Sequence, residues 1–190
     1  VVVDPSEKKV EQWRRRYDEA GLYGSRVAVM QGDATEEPFP NYMCRLVASE
    51  VWSGVAIDRP EFLANIFDTL RPYGGVACLE ISDSEAAKLK IRLGEGKYAG
   101  AKLKKSGEMT LLLRDGALPG SDDWTHQYAN ASQTVVSGDQ NVKAPFGVLW
   151  FGGPSHEGIL PRHGHGPSPQ VAGGRLFIEG ADLLRAVDVY

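Results

Sequence analysis

The feature that most constrains this chain is a set of short apolar runs with almost no polar alternation, each followed by a helical or turn pattern. VVV at residues 1–3, VAVM at 27–30, the run from Met43 to Ser49 and the run from Val76 to Ile81 are of this kind. Successive side chains of a strand point to opposite faces, so a strand that is apolar at every position must be covered on both sides. Helices alternating with such strands supply that cover. The expected fold class is therefore α/β, a Rossmann-like and mostly parallel sheet.

Local signals set the element order. Asp4-Pro5-Ser6-Glu7 offers a capping residue, a proline for the first helical position and a capping-box acid, which predicts a helix start. Val10, Trp13, Tyr17 and Ala20 recur at helical spacing, and Gly21 can close the helix in a left-handed cap. Arg26 to Gln31 is expected to be a strand, closed by Gly32-Asp33-Ala34 and followed by an acidic, proline-containing loop over 35–40. The strand from Met43 ends at Ser49 and Glu50. Arg59-Pro60-Glu61 then opens a helix whose Phe62, Leu63, Ile66, Phe67 and Leu70 share one face. A strand over 76–81, a short helix over 84–93 and an antiparallel hairpin, 101–105 with 109–114 around Ser106-Gly107, complete the pattern.

Beyond Gly116-Ala-Leu-Pro-Gly120 helical periodicity stops. PFGVLWFGG and SPQVAGGRLFIEGADLLRAVDVY read as short strands punctuated by Gly173-Gly174 and Gly180-Ala-Asp182. The expected division is an α/β domain over 1–118 and a small all-β unit over 119–190. The opening valines read as a strand met midway and the last run reaches Tyr190 without a stop signal, which suggests an internal piece of a longer protein.

Composition excludes several classes. With 42% hydrophobic residues, 24% charged residues and a net charge of −4, the chain has no general basic footprint for nucleic acid. Arg14, Arg15 and Arg16 share their helix with Glu11, Asp18 and Glu19 and read as a solvated face. No apolar run approaches the ~20 residues needed to span a bilayer. Cys44 and Cys78 both lie in apolar runs and read as buried free thiols, which assigns no redox compartment.

Three acids stand at strand ends, where open α/β sheets bind ligands. Asp4 could accept both hydroxyl hydrogens of a ribose, or it could simply cap the helix. The Gly32-Asp33-Ala34 turn offers a backbone amide beside a carboxylate, suited to an adenine edge but also common in plain turns. Glu50 is the third acid, and the three together favour a ligand crevice over separate caps. His126, His156, His163 and His165 lack an HExxH or Cys-x-x-Cys frame, so no metal site is expected. Trp124 and Trp150 read as packing residues.

VVVDPSEKKVEQ, VAVMQGDA, MCRLVASE and LRPYGGVACLEIS, in that order, resemble the second half of a class I S-adenosylmethionine-dependent methyltransferase. The resemblance covers residues 1 to 115 and implies S-adenosylmethionine as cofactor. It implies a ribose role for Asp4, an adenine role for Gly32, Asp33 and Ala34, and a place near the methyl donor for Ser49 and Glu50. The glycine-rich turn after the family's first strand has no counterpart here, which implies that these 190 residues alone bind the cofactor poorly or not at all. An NAD-linked oxidoreductase shares the sheet and the ribose acid, though the Gly-Asp-Ala turn and the hairpin suit it less well.

DWTHQYANASQTVVSGDQ, VLWFGG and SPQVAGGRLFIEGADLLRAVDVY resemble the repeats of quinoprotein-like (PQQ-like) β-propellers. That family holds quinone dehydrogenases and noncatalytic scaffolds. Without calcium or quinone ligands in view, the scaffold is the expected form and pyrroloquinoline quinone is not an expected cofactor. The partners implied are a small-molecule cofactor and an unspecified methyl acceptor. A noncatalytic binding protein is the alternative. The propeller half suggests export and the other half the cytoplasm, so no compartment follows.

Overall fold

The computed structural model describes residues 1–34, 36, 39–49, 57–149, 151–152, 155–160 and 166–190, the side chain of Pro60 excepted. The chain runs β1 (Val2–Asp4), α1 (Glu7–Glu19), β2 (Val29–Gln31), β3 (Leu46–Ala48), α2 (Pro60–Thr69), β4 (Gly75–Leu79), α3 (Asp83–Leu93), β5 (Ala101–Ser106) and β6 (Met109–Arg114). After a 3₁₀ turn at His156–Gly158 come β7 (Gln170–Ala172), β8 (Arg175–Gly180) and β9 (Leu183–Asp188). The mixed α/β order expected from the apolar runs is present, with a C-terminal antiparallel sheet after it.

Among the described residues three sheets result. β1 and β2 pair in parallel; β3 and β4 pair in parallel within a four-stranded sheet ordered β3-β4-β6-β5; β7-β8-β9 form an antiparallel meander. The hairpin expected around Ser106-Gly107 is β5-β6, and its second strand also lies antiparallel to β4.

The main core belongs to the four-stranded sheet. Phe62, Leu63, Ile66 and Phe67 of α2 and Leu70 just after it pack with Ala77, Leu79 and Leu112 of the sheet and Leu89 of α3. Each of the Leu, Ile and Phe side chains contributes roughly 1.5–3 kcal/mol on full burial. Arg92, near the end of α3, donates from Nη1 to Ile57 O at 2.5 Å and from Nη2 to Arg59 O at 3.2 Å, which ties α3 to the entrance of α2. A smaller contact joins α1 to the first pair of strands, where Val10 and Val29 are both buried and Arg14 Nε donates to Val29 O.

The helix starts show which sequence signals act. α2 begins with Pro60 at its first turn after Arg59, as the sequence predicts. α3 has a complete capping box: Ser82 accepts from Glu85 N, and the Glu85 carboxylate accepts from Ser82 N at 2.8 Å. α1 differs from expectation. Its N-cap is Ser6, whose hydroxyl accepts from Lys9 N, so Pro5 stands before the cap and the third helical residue is a lysine rather than an acid. Asp4 instead holds the turn ahead of it, Oδ1 accepting from Ser6 N at 2.8 Å. Gly21 closes α1 at φ +67°.

The C-terminal expectations divide. Gly173 and Gly174, both at positive φ, make the β7-β8 turn, and Asp182 at φ +58° helps make the next. PFGVLWFGG forms no strand over its described residues; Phe146 is 77% and Val148 83% exposed there. An apolar run needs a neighbouring strand to become one, and among the described residues none is hydrogen-bonded to it.

Candidate functional site

β1 and β2 run in parallel register, Val2 opposite Val29 and Asp4 opposite Gln31, so their carboxyl ends finish side by side. Gly32 N then donates to Asp4 O at 3.2 Å. This bond places the Gly32-Asp33-Ala34 turn directly beside Asp4. Two of the three expected rim segments are thereby adjacent.

The Asp4 carboxylate has two different oxygens. Oδ1 is committed to the Ser6 amide, while Oδ2 lies 3.5 Å from Lys9 Nζ. That ion pair is long and its lysine is 65% exposed, so its net contribution is small and the oxygen is exchangeable. Holding the turn ahead of α1 and receiving a ligand are therefore compatible roles for Asp4. Asp33 is exposed, Gly32 and Ala34 are half-buried, and Asp33 O accepts from Glu36 N at 3.0 Å. Lys9 is a residue that sequence reading passed over. Its signal was a lysine in the first turn of a helix, where the helix dipole favours an acid.

Ser49 follows β3 and is half-buried. β3 and β4 belong to a different hydrogen-bonded sheet from β1 and β2, and on its other side neither β1 nor β3 has a strand partner among the described residues. Glu50 lies outside the described residues, as do Trp150, His163 and His165.

Other candidate chemistry is quiet. His126 Nδ1 shares a hydrogen bond with Thr125 Oγ1 at 2.9 Å, and among the described residues no group of three His, Cys, Asp or Glu side chains could hold a metal. Burial pushes the Cys44 thiol up, away from the reactive thiolate. No helix among the described residues is long and apolar enough to cross a membrane.

Residues 1–74, from β1 to the turn before β4, match the family model of a methyltransferase domain. None of the curated proteins matches the chain. Among solved structures, a candidate S-adenosyl-L-methionine-dependent methyltransferase from Methanococcus maripaludis is 16% identical at TM-score 0.45, over 60% of this chain and 64% of that one. A structural-genomics target from Corynebacterium glutamicum is 19% identical at TM-score 0.47, over 61% of this chain and 60% of that one. The matched part thus spans less than two thirds of either neighbour.

Proposed function

We propose that the α/β part of this chain is a nucleoside-binding half of an S-adenosylmethionine-dependent methyltransferase unit. Asp4 receives the ribose hydroxyls, the Gly32-Asp33-Ala34 turn faces the adenine, and Ser49 and Glu50 stand toward the methyl donor. The observation that carries this reading is the parallel end-to-end register of β1 and β2, which sets Asp4 beside Gly32. The family-model match over residues 1–74 supports it. Methyl transfer depends chiefly on positioning of donor and acceptor, so no general base is assigned. The acceptor class is left open.

Binding by these 190 residues is weak on this reading, because among the described residues β1-β2 and β3-β4 fall in separate sheets. No strand ladder then fixes the spacing of Asp4 and Ser49, and the ligand must supply ordering free energy itself. Saturation-transfer NMR on the chain with S-adenosylmethionine, read at the adenine and ribose protons, tests the assignment. Transfer to both, stronger than to NAD and accompanied by no micromolar heat signal in calorimetry, is the expected result. Absence of transfer, or transfer favouring NAD, overturns the methyl-donor reading, and micromolar affinity overturns the weak-binding part.

Residues 119–190 are read as a noncatalytic, blade-like scaffold unit. Trp124 bridges antiparallel to Val171, adding an outer segment to the β7-β8-β9 meander, and a propeller blade has four such segments.

A further inference from the structure

Where the C-terminal meander meets the α/β part, three arginines from different elements converge. Arg71, between α2 and β4, forms an ion pair with Asp188 near the end of β9. Arg175 opens β8 directly opposite Asp188 in the antiparallel register. Arg45 precedes β3, and the backbone binds it to the same place: Arg71 N donates to Cys44 O and Val76 N to Arg45 O.

One carboxylate at this place is already paired with Arg71, and among the described residues two further guanidiniums stand without an ion-pair partner. Among the described residues Arg45 and Arg175 have no ion-pair partner within contact distance, and Arg71 Nε is buried without a hydrogen-bond partner. A buried guanidinium N–H without a partner is costly and calls for an acceptor. Burial first, then the charges of Arg45 and Arg175, push the Arg71 guanidinium down from its ordinary pKa, which fits a site short of negative charge. Asp123 is bound to the β7-β8 turn, its Oδ2 accepting from Gly173 N at 3.3 Å.

We propose that Arg45, Arg71 and Arg175 form a binding site for a phosphate group, at the joint between the α/β part and the C-terminal sheet. Guanidinium forks match phosphate oxygens in geometry and charge, and Arg71 Nε supplies an inward donor. Tyr73 lies beside the joint, its ring against Gly174, and burial followed by Asp123 raises its phenol so that it stays a neutral donor. The site lies at the amino ends of β3 and β4, whereas Ser49 follows the carboxyl end of β3. It is thus independent of the methyl-donor reading. An anion bound there would tie the two parts together, because its ligands come from both.

The test is thermal unfolding of the full chain in inorganic phosphate, against chloride at matched ionic strength. A saturable rise of about 3 °C is expected. It should vanish in the exposed double variant Arg45→Gln/Arg175→Gln and persist in the charge-matched Lys97→Gln/Lys104→Gln. No saturable rise in the parent chain overturns the site, as does a rise that survives the arginine changes or is lost with the lysine ones. Broadening of the phosphate ³¹P resonance by the parent chain and not by either single arginine variant is the second readout. A phosphomonoester run in parallel shows whether the group is bound free or as part of a larger molecule.

Discussion

The guanidinium of Arg114 lies 4.6 Å from the ring centroid of Phe67, and its Nη1 donates to the Phe67 carbonyl at 3.0 Å. The same nitrogen donates to Leu70 O at 3.1 Å, and the Tyr42 ring stands 4.9 Å away. One charge from the last residue of β6 therefore closes the carboxyl end of α2, where the final carbonyls lack helical partners. Arg114 is only 8% exposed, so the charge is compensated by the helix end and two aromatic faces rather than by water.

Replacing Arg114 by Met should cost about 2–3 kcal/mol of stability, since two charge-assisted hydrogen bonds are lost and two buried carbonyls are left unpaired. Arg114→Lys should cost less, because one ammonium can still reach a carbonyl but cannot stack in the same way. Urea unfolding of both variants measures this. A loss below about 0.5 kcal/mol in Arg114→Met would show that the helix end is satisfied without it.

This role was not legible in the sequence. Arg114 and Leu70 are 44 positions apart, and nothing local to LLLRDG points at a helix end. The α2 face and the β5-β6 hairpin were legible because each is a short-range pattern of period or turn, whereas the Ser82–Glu85 capping box of α3, equally local, was passed over in favour of a helix start at Ser84. The start of α1 was legible only in part. Asp4 and Ser6 are both good caps two residues apart, and the choice fell to Ser6 because Asp4 ends a paired strand. PFGVLWFGG carries a strand's composition, and over its described residues no neighbouring strand pairs with it. At the rim, sequence order gave the segments, but the join between Asp4 and Gly32 follows from β1-β2 register, a long-range property.

Acid should weaken α3. The Glu85 carboxyl is held below its ordinary range, chiefly by the Ser82 hydroxyl and then by the Ser82 amide. Asp83 is likewise lowered, chiefly by its hydrogen bond with Lys105. Groups whose folded pKa is depressed stabilise the fold above the unfolded pKa, and that contribution is lost as pH falls through the folded value. The unfolding midpoint should therefore drop as pH falls below about 4.5. Glu85→Gln, which keeps an acceptor but not the charge, should flatten the acid limb. Ser82→Ala should cost about 1 kcal/mol at neutral pH. An unchanged acid limb in Glu85→Gln would remove Glu85 from this account.

Gly174 sits at φ +74°, and a Cβ there would stand 2.5 Å from the Tyr73 ring. Gly174→Ala should destabilise by about 2–3 kcal/mol, part from backbone strain and part from the clash. Combining it with Tyr73→Ala separates the two. The clash should be relieved in the double variant while the strain, about 1 kcal/mol, persists. Strict additivity of the two changes would mean that the β7-β8 turn does not rest on Tyr73 in solution.

Asp4→Asn separates capping from ligand binding at the rim. Asparagine keeps an oxygen for the Ser6 amide, so the turn before α1 survives, and the long Lys9 pair contributes little. Stability should change by less than about 0.5 kcal/mol. What the variant loses is the second anionic oxygen, the acceptor a ribose diol needs, and its amide offers a donor in that direction. Saturation transfer to the ribose protons of S-adenosylmethionine should fall several-fold, while Asp33→Asn should chiefly reduce transfer to the adenine. Asp4→Ala, which cannot hold Ser6 N, should lower stability by about 1 kcal/mol as well as lose the ribose signal. Should Asp4→Asn leave ribose transfer intact at unchanged stability, Asp4 is a turn cap alone and the nucleoside assignment of this rim fails.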